Sequence, residues 1–256
     1  MTGSDRSRLS YKMGYALRHP RRVLRYARYR GRDALPGPRS FDHLSYYRAA
    51  MQSGTARSPE RAVGSRNRGE WLKHGQLQFD YLLGHGLRPS DRMLDLGCGN
   101  LRAGRLFIDY LDTGNYYGLD LSPDILLAAQ HTVAEFGLQA KLPHLVLVSD
   151  LAFGFLPSSH FTVVHAHSVF SHSPIHVISE CLAHVGRVMA PGAIFDFTFH
   201  NTGGAEHDLL GWAYYYHSET LLALARSHGL QARVMTDWKQ LGRPQTKIRV
   251  TLPSLT

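Results

Sequence analysis

At 256 residues with 43% hydrophobic side chains, the chain is long enough for one sizeable α/β core and too short for two. The formal net charge of +9 belongs to the first 40 residues, which hold 11 Lys/Arg and 2 acids, whereas residues 41–256 balance 18 basic against 18 acidic side chains. A neutral body argues against a nucleic-acid enzyme, whose substrate channel carries a basic stripe.

No run of about 18 apolar residues occurs, so no membrane-spanning helix is expected. The start of the chain lacks a signal peptide's apolar segment, and the two cysteines, Cys98 and Cys181, do not suggest a disulfide framework. Cys98 lies inside a glycine turn where a disulfide would obstruct a ligand, so a reduced, cytoplasmic setting is expected.

In chain order, residues 1–65 read as a basic arm and linker, and residues 66–256 as the folded domain. Residues 20–32 form a short helix with proline at its first position. Val23, Leu24 and Ala27 share one face; Arg21, Arg22, Arg25, Arg28 and Arg32 crowd the other, with Arg30 near the apolar edge. Peripheral contact of residues 1–40 with anionic lipid, at the inner face of a membrane, is one expectation, each basic residue contributing on the order of 1 kcal/mol. A solvated basic tail, or a helix packed on the body, is the other. Residues 34–69 read as a Gly/Ser/Arg-rich linker with short helical pieces, including 41–51.

Regular periodicity then begins with a helix over 71–86. Strands follow at 93–96, 116–119, 144–148, 162–166, 193–199, 232–236 and 247–252. Helices at 102–111, 123–136, 175–189 and 217–228, with a shorter turn at 152–156, fall between them. The alternation predicts a doubly wound, seven-stranded, mainly parallel α/β sheet with right-handed crossovers. The connection 237–246 is too short for a crossover helix, so the last two strands should form an antiparallel hairpin.

Met93-Leu94-Asp95-Leu96-Gly97-Cys98-Gly99 is a buried strand that ends at an acid and turns through two glycines into a helix. Without Cβ atoms, such a turn lets a ligand lie against the main chain. Asp120 follows Gly99 by 21 residues at the end of the second strand, where an acid accepts hydrogen bonds from ribose hydroxyls. Asp150 ends the third strand and is placed to meet an adenine amino group. A dinucleotide fingerprint needs a third glycine where this chain has Arg102, which weighs against a nicotinamide enzyme.

Leu94-Asp95-Leu96-Gly97-Cys98-Gly99, Gly118-Leu119-Asp120-Leu121-Ser122, Ser149-Asp150-Leu151 and Val188-Met189-Ala190-Pro191-Gly192-Ala193 together resemble the class I S-adenosylmethionine-dependent methyltransferases over residues 71–256. The likeness is to members of the small-molecule and saccharide-modifying type. It implies a Rossmann-like fold and S-adenosyl-L-methionine as cofactor. By the same resemblance Asp95, Gly97 and Gly99, with Cys98 and Arg102 in the same turn, frame the methionine moiety. Asp120 and Leu121 take the ribose, and Asp150 with Leu151 takes the adenine. Ala193 departs from the second glycine often found in the family.

The acceptor should be read after the fourth strand, where base-modifying members carry an Asn/Asp-Pro-Pro-aromatic motif. This chain has His165-Ala166-His167-Ser168-Val169-Phe170-Ser171-His172 there, so a nucleic-acid acceptor is not expected. Imidazole titrates near neutrality and can take a proton from a hydroxyl during methyl transfer. His172 resembles the histidine of a Ser-Val-Phe-Thr-His stretch in saccharide-modifying members and is the leading candidate base. His167, nearer the strand end, is a candidate for cofactor contact or catalysis, and His200 ends the fifth strand at the site edge. Each could equally be a histidine satisfied by backbone carbonyls. His165-x-His167 and His172-x3-His176 have metal-compatible spacing, but no cysteine lies near them, and no metal is assigned.

Trp212-Ala213-Tyr214-Tyr215-Tyr216-His217 offers flat apolar faces with polar tips, suited to a sugar ring or an aromatic acceptor, or to a lid helix packed on the sheet. The expectation is O-methylation of a hydroxyl on a small molecule or saccharide. N-methylation of a small amine and a non-catalytic cofactor-binding subunit are the alternatives.

Overall fold

The computed structural model describes residues 3–30, 42–239 and 244–253. Two helices of the basic arm, α1 (Gly3–Arg18) and α2 (Pro20–Arg30), precede α3 (His43–Thr55), α4 (Pro59–Ala62) and α5 (Arg68–Gly84). The sheet then builds as β1 (Met93–Leu96), α6 (Gly104–Tyr110), β2 (Tyr116–Asp120), α7 (Pro123–Glu135), β3 (His144–Leu147), β4 (Phe161–Ala166), α8 (Ile175–Val188) and β5 (Met189–Asn201). After it come β6 (His207–Leu209), β7 (Ala213–Tyr216), α9 (Ser218–Ser227), β8 (Gln231–Met235) and β9 (Thr246–Thr251).

The strands join in the order β3-β2-β1-β4-β5, all parallel, with β9 antiparallel to β5 and β8 antiparallel to β9. This is the α/β architecture expected, with its C-terminal hairpin. Two further strands were not foreseen. The last residues of β5, His200 and Asn201, pair with Tyr215 and Tyr216 of β7, and β7 pairs with β6. The aromatic segment is therefore an edge hairpin and not a lid helix. The turn expected at 152–156 contains no helix.

β5 alternates with a period of two. Phe195, Phe197 and Phe199 face the apolar core, while Asp196, Thr198 and His200 face the other side, and all six are buried. Helix α8 buries Ile178, Cys181, Leu182, Val185 and Val188, a stripe at i, i+3, i+4, i+7 and i+10 spacing. These residues and the phenylalanines share one cluster, each filled apolar position contributing about 1.5–3 kcal/mol. On the polar side, Arg249 grips Asp196 through two bonds of 2.7 Å.

The stretch expected as a linker contains α3 and α4. The Asp42 side chain accepts from Ser45 N–H at the start of α3, and Ser58 caps α4 ahead of Pro59. Helix α3 packs on α7 and reaches the hairpin, where the Tyr46 hydroxyl donates to Leu210 O at 3.0 Å. The linker residues 34–41 and Arg32 lie outside the described residues, as do the side chain of Arg30 and part of the connection 237–246.

The arm packs on the body, and part of its basic face turns inward. Leu24 is 71% exposed, whereas Arg22 and Arg25 are half-buried. Arg22 donates to the Tyr15 hydroxyl and lies 4.7 Å from the centre of the Trp212 ring, and Arg25 donates to Ser53 Oγ at 2.7 Å. A guanidinium over an indole is favourable enough to place Arg22 inward despite its charge. No described helix is long and apolar enough to cross a membrane.

Candidate active site

The glycine turn between β1 and α6 sits at the carboxyl ends of the parallel strands, beside the point where strand order reverses. Gly97 and Gly99 hold φ of +64° and +56°, and Leu101 shares the left-handed conformation with a fully buried side chain. A Cβ at position 97 would lie 2.6 Å from Val169 Cγ2, and one at position 99 would lie 2.9 Å from Val63 Cγ1. The turn is therefore walled by the segment after β4 on one side and by the α4–α5 connection on the other.

Asp120 Oδ2 accepts from Gly99 N–H at 3.0 Å and Oδ1 from Ser122 N–H at 2.9 Å. Burial raises its pKa to about 6 against the opposing pull of those backbone donors. A buried carboxylate at this level gains from further hydroxyl donors, which is what a ribose diol supplies. Asp95 is buried and accepts from the Tyr116 hydroxyl at 2.6 Å, with His165 Nδ1 at 3.0 Å. Cys98 is buried with a free thiol whose pKa burial raises.

Arg102 donates to Val63 O at 2.8 Å, and burial lowers its pKa to about 10. Its guanidinium thus ties the glycine turn to the roof above it. Asp150 is exposed, with Oδ1 accepting from Ala152 N–H at 3.1 Å, and Leu151 N–H donates to Glu180 Oε2 at 3.3 Å. Arg48 of α3 bridges the second and third strand ends, donating to Leu121 O at 2.7 Å and to Val148 O at 3.1 Å.

The three candidate histidines separate. His172 and His200 come together, with ring centres 6.4 Å apart. His172 Nδ1 lies 2.6 Å from Trp212 O. A carbonyl only accepts, so Nδ1 carries a proton, and in the neutral ring the lone pair is on Nε2. His167 joins a different group: its ring stacks at 6.2 Å on His165 and meets Trp238 edge-on at 5.6 Å. Burial, then the charges of Arg102, His165 and Lys247, push its pKa well down. It stays neutral below the sheet end, at the Arg102 side of the cradle and not beside His172.

Several site residues carry no sequence motif. Tyr47 stacks on Trp212 with centres 6.1 Å apart, and burial, then the charge of Asp120, raises its phenol pKa. Gln245 binds Thr198 Oγ1 at 2.7 Å and Ser168 Oγ at 2.7 Å, fixing the segment that carries His172. His43, buried with Nδ1 unpaired, has its pKa lowered to about 4 chiefly by burial. Contacts across 47 or more residues leave no local periodicity for a sequence to display. Among the described residues, no group of three or more His, Cys, Asp and Glu is arranged to hold a metal ion.

A glycine cradle, a buried acid at the second strand end and a polar third strand end are the fittings of a nucleoside-cofactor enzyme of the doubly wound class. Residues 94–195 match a family model described as a methyltransferase domain. The fold is similar to magnesium protoporphyrin IX methyltransferase from Synechocystis with S-adenosylmethionine bound, at 16% identity and TM-score 0.63, covering 85% of this chain and 100% of that one. It is also similar to an S-adenosylmethionine-dependent methyltransferase from Leishmania major, at 11% identity and TM-score 0.63, covering 82% and 83%. The [4+2]-cyclase SpnF shares it at 19% identity and TM-score 0.55, covering 72% and 75%. Residues 94–195 thus match a methyltransferase domain, set in a fold that is shared with S-adenosylmethionine-dependent methyltransferases.

Proposed function

We propose that this enzyme transfers the methyl group of S-adenosylmethionine to a hydroxyl of a small molecule or saccharide, with His172 as the proton acceptor. The observation that carries it is the 2.6 Å contact of His172 Nδ1 with Trp212 O, which leaves the basic lone pair on Nε2. The cofactor supplies an electrophilic methyl on sulfur, and sulfur keeps the electron pair of the broken carbon–sulfur bond. The acceptor oxygen forms the new bond to carbon as its proton passes to His172 Nε2. Tyr47, Trp212 and Tyr214 offer apolar faces that exclude water and orient a ring.

For the cofactor, Gly97 and Gly99 leave room for the methionine portion, beside Asp95, Cys98, Arg102 and His167. Asp120 and Leu121 receive the ribose, and Asp150 and Leu151 the adenine. His200 supports His172 from the side. The Synechocystis neighbour acts, by its name, on a small molecule, which accords with this acceptor class.

The test is methyl-labelled donor with cell lysate, followed by mass spectrometry of the labelled product. A methyl ether or ester supports the proposal; a methylamine replaces it with N-methylation. His172→Ala should retain S-adenosylhomocysteine affinity and lose turnover by about 10²–10⁴-fold. Unchanged turnover would remove His172 from the mechanism.

The outward side of the arm supports a second part of the proposal, peripheral contact with anionic membrane. Met13, Leu17 and Leu24 are exposed there beside the exposed Arg18, Arg21 and Arg28. Flotation with vesicles containing anionic lipid should retain the full chain and release an Arg21→Glu/Arg28→Glu variant; equal partitioning would remove this part.

A further inference from the structure

A cleft of about 380 Å³ opens between α1 and the end of β5, lined by Tyr11, Lys12, Asn201, Thr202, His207 and Tyr215. Its volume suits a small ligand. One wall is a stack of rings: Tyr215 lies between His200, at 4.9 Å and 19°, and His207, at 4.7 Å and 1°. His200 is in turn the neighbour of His172. The stack therefore links the candidate base to the wall of the cleft.

The cleft's electrostatics are one-sided. Lys12 is exposed, and no carboxylate among the described residues pairs with it. The two acids of the adjoining hairpin are engaged elsewhere: Glu206 accepts from His217 N–H at 2.8 Å and Asp208 from Gly211 N–H at 2.9 Å. Among the described residues the lining thus offers an ammonium, an amide, a hydroxyl, an imidazole and phenols, and no carboxylate. Flat aromatic faces recognise the apolar side of a sugar ring, and an unpaired ammonium among neutral donors recognises an oxyanion.

We propose that this cleft is the distal acceptor subsite and that it holds the phosphate of a sugar phosphate whose hydroxyl is presented to His172. The inference rests on the hydroxyl-methylating reading and adds the charge of the acceptor and the arm residue that selects it. The arm then has a role in the reaction itself, because Lys12 on α1 completes the pocket.

The test is calorimetric titration of the full chain, saturated with S-adenosylhomocysteine, with a hexose 1-phosphate, its octyl phosphodiester and the neutral hexose. The phosphorylated probes should bind at least tenfold tighter than the neutral one, and Lys12→Ala should weaken them about tenfold while Lys73→Ala, an exposed lysine on α5, leaves them unchanged. A preference for the monoester identifies a soluble sugar phosphate, and equal or tighter binding of the diester a lipid-linked one. Equal affinity for charged and neutral hexose, or no effect of Lys12→Ala, would overturn the proposal. A labelled methyl ether on an uncharged sugar would overturn the proposal alone, leaving hydroxyl methylation intact. Tight hexose phosphate binding without any methylated hydroxyl would instead sink the hydroxyl-methylating reading and leave the subsite standing.

Discussion

Replacing Gly97 with alanine probes both the backbone of the cofactor cradle and its coupling to the acceptor side. At φ +64° an alanine is strained by about 1–2 kcal/mol. The new Cβ would also lie 2.6 Å from Val169 Cγ2, about 1 Å inside the optimal carbon–carbon separation. Moving Val169 aside costs a further ~1–3 kcal/mol, for a total of about 2–5 kcal/mol. The displacement would propagate, because Val169 O accepts from His172 N–H at 2.9 Å and from Ser173 Oγ at 3.0 Å. Val169→Ala alone should cost about 1 kcal/mol, since this side chain is half-buried. In the double variant the overlap disappears and only the backbone strain persists. Urea denaturation of all four proteins, at unchanged m-value, should give a coupling of about 1–3 kcal/mol, with turnover partly restored in the double variant. Additivity within about 0.5 kcal/mol would refute the contact and the coupling drawn from it.

Asp120 gives a pH signature in the cofactor-free protein. Its folded pKa of about 6 lies above the ordinary 3.8, so below about 3.8 both states are protonated and burial carries no penalty. As pH rises the unfolded carboxyl ionises first, and the folded state loses about 3 kcal/mol between pH 4 and 6, a loss constant above that. The stability of wild type minus Asp120→Asn, measured by denaturation from pH 4 to 7, should fall over that window; a flat difference would contradict the assignment. Arg249→Met should destabilise by about 3–5 kcal/mol, because it strands the fully buried Asp196 carboxylate. Adding Asp196→Leu should recover most of that loss, as chemical denaturation would show; no recovery would mean that Arg249 acts through packing and not through charge.

What the sequence determined was local. A glycine pair behind a hydrophobic strand can hardly be anything but a tight turn, and Asp120 stands at a strand end because its neighbours alternate as a strand does. The parallel sense of the main strands and the antiparallel terminal hairpin follow from connection lengths, which are also local quantities. Tertiary structure decided the rest. Arg22 points inward because Trp212 lies beneath it, 190 residues further along the chain. The residues once expected as linker roof the cradle because Arg48 finds two strand-end carbonyls. His172 and His167 part company because only His172 meets a carbonyl of the edge hairpin, while His167 Nδ1 is buried without a hydrogen-bond partner. Periodicity records which side of an element is buried; it carries no record of the distant group that side meets, and the acceptor chemistry resides in those distant pairings.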